Sequence, residues 1–336
     1  MVGGAPKFSR WQLHDGSWRE SVRCQVAERD QEFDLDSLVK RLHSRRPLRA
    51  VPAIPDGEDG DAFILCLADW QLGNSDGDGV AGTTARVTAA IHEAEARVKA
   101  LRKSGRHLDC LVLAGLGDLI EGCSGHYPSQ TFSVALDRRQ QLRLARELIT
   151  LAVVRLAPLF EDVVLVAVPG NHGENRQGGK AITGVSDSDD VAVFEQVFEA
   201  MRMTEQYGHV TFVEPTGDEV HVTLAGDEWG PGICFFHGHT SGTKDMQKWW
   251  AGQAQGRQAP GKAGVLVTGH YHHFKVDEGS GRIWMQAPSP EDCSQWWVNR
   301  TGQTSQPGTL SFVLTSTGVD DIKVLGRGVQ TGEAAA

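Results

Sequence analysis

From residue 61 onward, short unbroken apolar runs alternate with longer amphipathic stretches. Residues 62–68 are almost wholly apolar and end on Asp69, the pattern of a central strand covered on both faces. Within 84–103, Val87, Ile91, Ala94, Val98 and Leu101 recur at a helical period. Further strands are expected at 108–114 and 163–168. Helices are expected at 137–156, with Leu142, Ala145, Ile149 and Val153 on one face, and at 189–205. Strands separated by helices imply βαβ crossovers and a largely parallel sheet. Past residue 210 strands dominate, at 210–213, 220–225, 233–236, 264–268, 274–276, 282–286, 310–314 and 322–325, with one short helix at 243–252. This pattern predicts two layers of strands flanked by helices.

Residues 1–60 read differently. Trp11 and Trp18 lie among polar residues, a short helical stretch is expected at 35–42, and 47–60 mixes Pro, Gly, Asp and Glu as a linker does. The segment is either a loosely ordered arm or one packed through its tryptophans. The expected organisation is a partly ordered N-terminal arm and linker over 1–60, one domain over 61–326 and a flexible tail over 327–336.

The 336 residues suffice for a large core, and the net charge of −10 argues against broad nonspecific duplex binding while allowing a local basic channel. The six cysteines form no CxxC pair, and Cys66, Cys110 and Cys234 sit inside apolar runs. Buried thiols in a reducing compartment are therefore expected. No apolar run approaches the roughly 20 residues that span a bilayer, and the first residues lack the apolar core of a signal peptide. A cytoplasmic location without membrane contact follows as the expectation.

Five apolar strands run in turn into polar groups: Asp69-Trp70-Gln71, Gly117-Asp118-Leu119-Ile120-Glu121, Gly170-Asn171-His172-Gly173-Glu174, His237-Gly238-His239 and Gly269-His270-Tyr271-His272-His273. Any one of these reads as a capped turn. Together, at the carboxyl ends of strands in an open α/β sheet, they should converge on a ligand. Carboxylates, imidazoles and a carboxamide suit borderline divalent ions such as Mn²⁺, Fe²⁺, Ni²⁺ or Zn²⁺. Seven candidate donors exceed what one ion takes. Two ions roughly 3.5–4 Å apart, sharing a carboxylate, can activate water and hold attacking and leaving oxygens.

Taken in order, these residues resemble the calcineurin-like metallophosphoesterase superfamily, with its Asp-x-His, Gly-Asp, Gly-Asn-His, lone His and Gly-His-x-His motifs, over 62 to about 290. The resemblance implies a four-layer α/β/β/α sandwich with two metal ions, Mn²⁺ foremost, at one edge. It implies that Asp69 binds the first ion, Asp118 bridges both, Asn171, His237 and His270 hold the second, and His272 returns to the first. His172 would be the catalytic histidine that donates to a phosphoryl or leaving-group oxygen. His239 competes with His237. Gln71 stands where the superfamily has histidine, a neutral and weaker donor. Four stretches, 69–73, 121–127, 171–175 and 269–273, are also similar to enzymes encoded by tailed bacteriophages of actinobacteria.

The segment Gly117–Gly122 lacks the arginine of the protein-phosphatase branch, which lowers the expectation of a phosphoserine phosphatase. Basic residues occur at Arg138, Arg139 and Arg143, read as a solvated helix face, and at Lys244, Lys248 and Arg257. Arg176 and Lys180 follow His172 in a Gly-rich loop and are better placed. Tyr127, Trp250 and Tyr271 join Arg176, Lys180, Lys248 and Arg257 as the expected substrate contacts, since aromatic rings stack on bases of any sequence. The leading expectation is a metal-dependent phosphodiesterase, a nuclease acting on single strands or chain ends. The alternatives are a phosphomonoesterase on nucleotides or phosphoproteins, and a noncatalytic scaffold retaining the fold.

Overall fold

A computed structural model describes residues 7–23, 60–226, 231–241, 245–292, 298–299, 302 and 304–329. The chain divides into two units, Met1–Asp34 and Leu35–Ala336. In the first, strands β1 (Lys7–Gln12) and β2 (Trp18–Arg23) form an antiparallel hairpin. Its turn uses Gly16 at φ 84°, and Asp15 Oδ1 accepts from the Ser17 amide at 2.9 Å. The Asp15-Gly16 pair between two six-residue runs is the signal that the reading of residues 1–60 as an arm passed over. The guanidinium of Arg10 lies 4.6 Å from the Trp18 ring centroid, a cation–π contact within the hairpin. The helix expected at 35–42, the linker up to residue 59 and the tail from 330 lie outside the described residues.

The second unit begins with β3 (Asp61–Leu67), helix α1 (Gly79–Lys103), β4 (Leu108–Gly115), α2 (Arg138–Leu156) and β5 (Asp162–Ala167). A short hairpin follows, β6 (Arg176–Gln177) and β7 (Lys180–Ala181), then α3 (Asp189–Met201) and β8 (Val210–Val213). The remaining elements are β9 (His221–Leu224), β10 (Ile233–Phe236), α4 (Met246–Gln255), β11 (Val265–Thr268), β12 (Lys275–Gly279), β13 (Arg282–Gln286), β14 (Thr309–Thr315) and β15 (Gly318–Leu325). One sheet has the order β15-β14-β3-β4-β5-β8 and the other β12-β13-β11-β10-β9. Both are mixed. Strands β3, β4, β5 and β8 run parallel, with antiparallel β14 and β15 at one edge, and β10, β11 and β13 run parallel, with antiparallel β9 and β12 at the two edges.

The apolar runs explain the layering. Ala62, Ile64 and Cys66 point from β3 into the space between the sheets, where Val112, Val164 and Val166 meet Ile233, Phe235, Val265 and Met285. Phe63, Leu65 and Leu67 point the other way and are equally buried, on the face that α1, α2 and α3 cover. On the outer face of the second sheet, Cys234, Phe236, Leu266 and Trp284 pack with Met246 and Trp250 of α4. The result is the expected four-layer α/β/β/α sandwich. Each buried Val, Leu, Ile or Phe stabilises by about 1.5–3 kcal/mol, so these doubly covered strands make a rigid platform for the loops at their ends. Cys66, Cys110 and Cys234 are buried. Among the described residues no helix is long and apolar enough to cross a membrane.

Candidate metal centre

The loops after β3, β4, β5, β10 and β11 carry the motif residues, and the structure brings them together at one sheet edge. Asp69, Gln71, Asp118, His270 and His272 have left-handed backbone, with φ of 52°, 39°, 54°, 74° and 58°. Each such non-glycine residue costs roughly 1–3 kcal/mol, which the surrounding packing must offset. The loops are tied to one another by backbone bonds, Asp69 N–H to Gly117 O at 3.0 Å and Gln71 N–H to Asp118 O at 2.9 Å. Glycine is required where they crowd. A Cβ on Gly170 would sit 2.2 Å from Asp118 Oδ1, and one on Gly269 2.7 Å from Asp69 Oδ2.

Asp118, His237 and His270 each offer a donor atom, and these atoms lie within 4.8 Å of one another. His237 is fully buried and its Nδ1 donates to Leu116 O at 2.6 Å. That bond aims Nε2 at Asp118 Oδ2, 3.1 Å away, and at Asn171 Oδ1, 3.3 Å away. A ring oriented through its second nitrogen is how metal-binding imidazoles are held. Two imidazoles and a carboxylate are a donor set that fits a borderline divalent cation. His239 faces elsewhere, with Nε2 3.2 Å from Glu174 Oε1.

The other expected donors gather beside this triad. Both Asp69 oxygens accept from the His270 amide at 3.0 Å, and Asp69 Oδ1 is 3.5 Å from His272 Nε2. Gln71 Nε2 is 3.4 Å from the same His272 nitrogen, so a half-turn of the carboxamide would present its oxygen there. Glu291 Oε2 lies 3.6 Å from His272 Nδ1, and the Asn74 amide donates to the Glu291 carboxylate.

Charge is distributed unevenly in the metal-free site. Burial pushes Asp69 up to about 7, against the pull of His237. Burial alone would raise Asp118 too, but His237 and His172 outweigh it and hold that carboxyl well below the usual range. Burial opposes the His237 cation, yet Asp118 prevails and raises it to about 9. His270 is lowered to about 3 and His272 to about 4 by burial, the cationic His237 adding to both. These two imidazoles are neutral near pH 7, the form that binds a metal.

His172 stands apart from the triad in the role of its ring. Its backbone N–H donates to Asp118 Oδ1 at 2.7 Å, while its ring Nδ1 meets the Glu121 carbonyl at 2.9 Å. Burial disfavours its cation, but Asp118 and Glu121 raise it to about 10. The His126 ring stacks on His172 at 4.2 Å, and Arg176 Nη1 lies 3.3 Å from His126 Nδ1. Tyr127 donates its hydroxyl to Glu121 Oε1 at 2.9 Å.

The candidate list from sequence lacks four residues that shape this centre: Glu121, His126, Glu291 and Asp190. Buried Asp190 Oδ2 accepts from Asp118 N at 3.1 Å and Gly170 N at 2.9 Å, and its Oδ1 accepts from Leu119 N at 2.8 Å. Its place in the first turn of α3 reads as an ordinary helix N-terminal acid. Glu121 did carry a signal, as the last residue of the Gly-Asp-x-x-Glu stretch.

The expected substrate contacts divide. Arg176 reaches the His126–His172 stack, and exposed Lys180 shares its hairpin. Tyr127 keeps an exposed ring, and Tyr271 packs edge-on against His270 at 4.9 Å. Lys248 and Arg257 are exposed on α4 and just beyond it. Trp250 is a correction. Its ring is 1% exposed, and its Nε1–H donates to Pro260 O at 2.6 Å, so it is core and has no face for a base. Trp249 likewise stacks on Phe236 at 4.5 Å. Lys244, Trp296 and Trp297 lie outside the described residues.

No protein-family model and no curated protein matches the chain. Solved structures similar to it include an archaeal phosphodiesterase, at 12% identity over 78% of this chain and 99% of that one, with a TM-score of 0.34. Vacuolar Protein Sorting 29 from Cryptosporidium parvum matches at 13% identity over 79% and 97%, TM-score 0.34. A conserved protein of Streptococcus pneumoniae TIGR4, described as a predicted phosphoesterase, matches at 10% over 81% and 95%, TM-score 0.33. Likeness at this level carries no chemistry, which rests on the donor set. The resemblance to the calcineurin-like metallophosphoesterases is a distant one.

Proposed function

We propose that the chain is a metal-dependent phosphoesterase that cleaves phosphodiesters, with nucleic acid as substrate and phage DNA metabolism as its setting. One observation carries the reading. An imidazole, His172, is anchored beside the Asp118–His237–His270 donor cluster through its backbone while its ring is oriented by Glu121.

Asp118, Asn171, His237 and His270 would hold one ion, and Asp69, Gln71 and His272 a second that shares Asp118. Mn²⁺ is the first candidate, with Fe²⁺, Ni²⁺ and Zn²⁺ also suited to these donors. Bound there, divalent ions supply Lewis acidity toward a phosphoryl oxygen and an acidified water. His172, with Nδ1 occupied by Glu121, keeps Nε2 to donate to a phosphoryl or leaving-group oxygen. Arg176 and His126 add positive and polar groups beside it for the phosphate. The missing phosphatase arginine favours diesters over phosphoproteins.

A second reading, a noncatalytic metal-binding scaffold, is favoured by one fact. Among the described His, Cys, Asp and Glu side chains, Asp118, His237 and His270 form one cluster close enough to hold a single ion, and no second such cluster stands beside it. A single panel separates the readings: Mn²⁺-loaded protein with bis-p-nitrophenyl phosphate, p-nitrophenyl phosphate, and end-labelled single- and double-stranded DNA and RNA, with Asp118→Asn as control. Diester and nucleic-acid cleavage lost in Asp118→Asn is the expected result. Faster monoester hydrolysis would make the protein a phosphatase, and bound metal without any hydrolysis would make it a scaffold.

A further inference from the structure

Helix α2 places Arg139, Arg143 and Arg146 at i, i+4 and i+7, a spacing that puts three guanidinium groups on one helix face. With Arg138, Leu142 and, from α3, Gln196, they line a groove of about 590 Å³. Arginines at this spacing would suit a solvated helix face, but concavity changes what they can do. A chain with net charge −10 has gathered four arginines on one surface, of which Arg138 is paired with Asp189.

The Arg138 end of the groove is tied to the metal-binding loops through the first turn of α3. Arg138 makes a bidentate pair with Asp189, at 2.8 and 2.6 Å, which fixes its fork at the first turn of α2. The next residue, Asp190, is the carboxylate that accepts from the backbone of Asp118 and Gly170. The cap of α2 is also rigid, with Asp137 and Gln140 bonded reciprocally at 2.9 Å, and it closes the loop that carries Glu121 and Tyr127. From there the arginines run down the helix. Arg139 and Arg146 are seven residues apart, about 10 Å along the axis.

We propose that this groove holds the sugar-phosphate backbone of a single nucleic-acid strand that runs away from the metal centre. The assignment deepens the phosphodiesterase reading and rests on it. A stripe two helical turns long suits an anion whose charge repeats, whereas one phosphate would engage one or two guanidiniums. Planar guanidinium forks match phosphate oxygens. Leu142 is the one apolar residue in the lining, too little to seat the apolar face of a peptide or a lipid surface. The net charge of −10 argues against the broad basic face that a duplex engages.

The test measures anisotropy of a fluorescent oligothymidylate at 50 and 200 mM NaCl with full-length, Mn²⁺-loaded protein. His172→Ala is present in both arms to slow cleavage, and one arm adds Arg139→Ala and Arg146→Ala. Both sites are helical, where alanine is favoured, and circular dichroism checks the fold. Each lost phosphate contact on a single strand lowers the slope of log affinity against log salt by about 0.7. The double change should therefore shallow the slope by about 1.4, so that affinity falls about sevenfold less over this range. Cleavage of bis-p-nitrophenyl phosphate by the arginine variant with His172 intact should stay as in wild type. An unchanged slope, no binding at 50 mM salt, or equal affinity for duplex overturns the groove assignment. Failure of wild type to cleave the small diester overturns the phosphodiesterase reading instead, and the binding arms still decide the groove.

Discussion

Nδ1 of His172 lies 2.9 Å from the Glu121 carbonyl oxygen and 3.2 Å from Glu121 Oε2, so one buried glutamate orients the imidazole with its backbone and its side chain. Glu121→Gln keeps the backbone contact and removes the charge. The His172 cation, opposed by burial and held near 10 by Asp118 and Glu121, should then titrate at lower pH in the metal-free protein. Activity should fall about 10–100-fold, as for other residues that orient a site from behind. An NMR titration follows the ring, and an unmoved midpoint would refute the coupling.

Removing the His172 ring tests its role more directly. The backbone N–H that donates to Asp118 survives in His172→Ala, so bound metal should be retained. Loss of one donor to developing charge costs about 10²–10³ in kcat. Elemental analysis beside kinetics checks both halves. Loss of metal would show that the ring is a ligand.

Metal binding should release protons at pH 7. In the metal-free protein His237 is protonated, raised to about 9 by Asp118 against its burial, while His270 and His272 are neutral. An ion that takes His237 Nε2 displaces one proton, and buried Asp69, near 7, contributes a further fraction. Affinity should therefore rise with pH, about tenfold per unit for each proton displaced, and level off above about 9 for His237. Calorimetry in buffers of different ionisation enthalpy counts the protons. A value near zero at pH 7 would place His237 outside the coordination sphere.

Gln71→His tests the departure from the superfamily motif. Gln71 holds φ at 39°, a region that histidine tolerates better than most residues, so the swap should fold. Imidazole is the better donor to borderline ions, and the wild-type amide already lies 3.4 Å from His272. Mn²⁺ titration should show tighter binding at the first site. Unchanged affinity would mean that Gln71 only orients water, and weaker affinity that the pocket is shaped for the amide.

Trp250→Ala should behave as a core deletion. Its ring is fully enclosed, Arg282 sits 5.1 Å from its centroid, and its N–H serves Pro260. Truncating a buried tryptophan costs about 3–5 kcal/mol. Urea denaturation should register that loss, with oligonucleotide affinity of the folded protein unchanged. A loss below about 1 kcal/mol, with weaker oligonucleotide binding, would return Trp250 to the substrate surface.

Much of the site was legible because its signal is local. An apolar run that ends on Asp69 or Asp118 marks a strand and its carboxyl end together, and those ends share one edge in any parallel sheet. Element limits shifted where packing and turns intervene: α1 starts at Gly79, ahead of the first apolar periodic residue, and α3 stops at Met201. Trp250 shows the limit of the local signal. At helical spacing from Met246 it fits a core stripe or a stacking platform equally, and only the sheet beneath α4 decides between them.

Side-chain periodicity and turn chemistry act over a few residues, so they already specify which segments must be covered on both faces and which donors stand at their ends. The fold alone settles which of those donors meet. Asp190 reaches the Asp118 amide across 72 positions, and Asp69 meets the His270 amide across 201. Such contacts depend on how the crossovers wrap and how the two sheets stack. An acid at the start of a helix carries the same local signature whether it faces water or the backbone of a metal-binding loop.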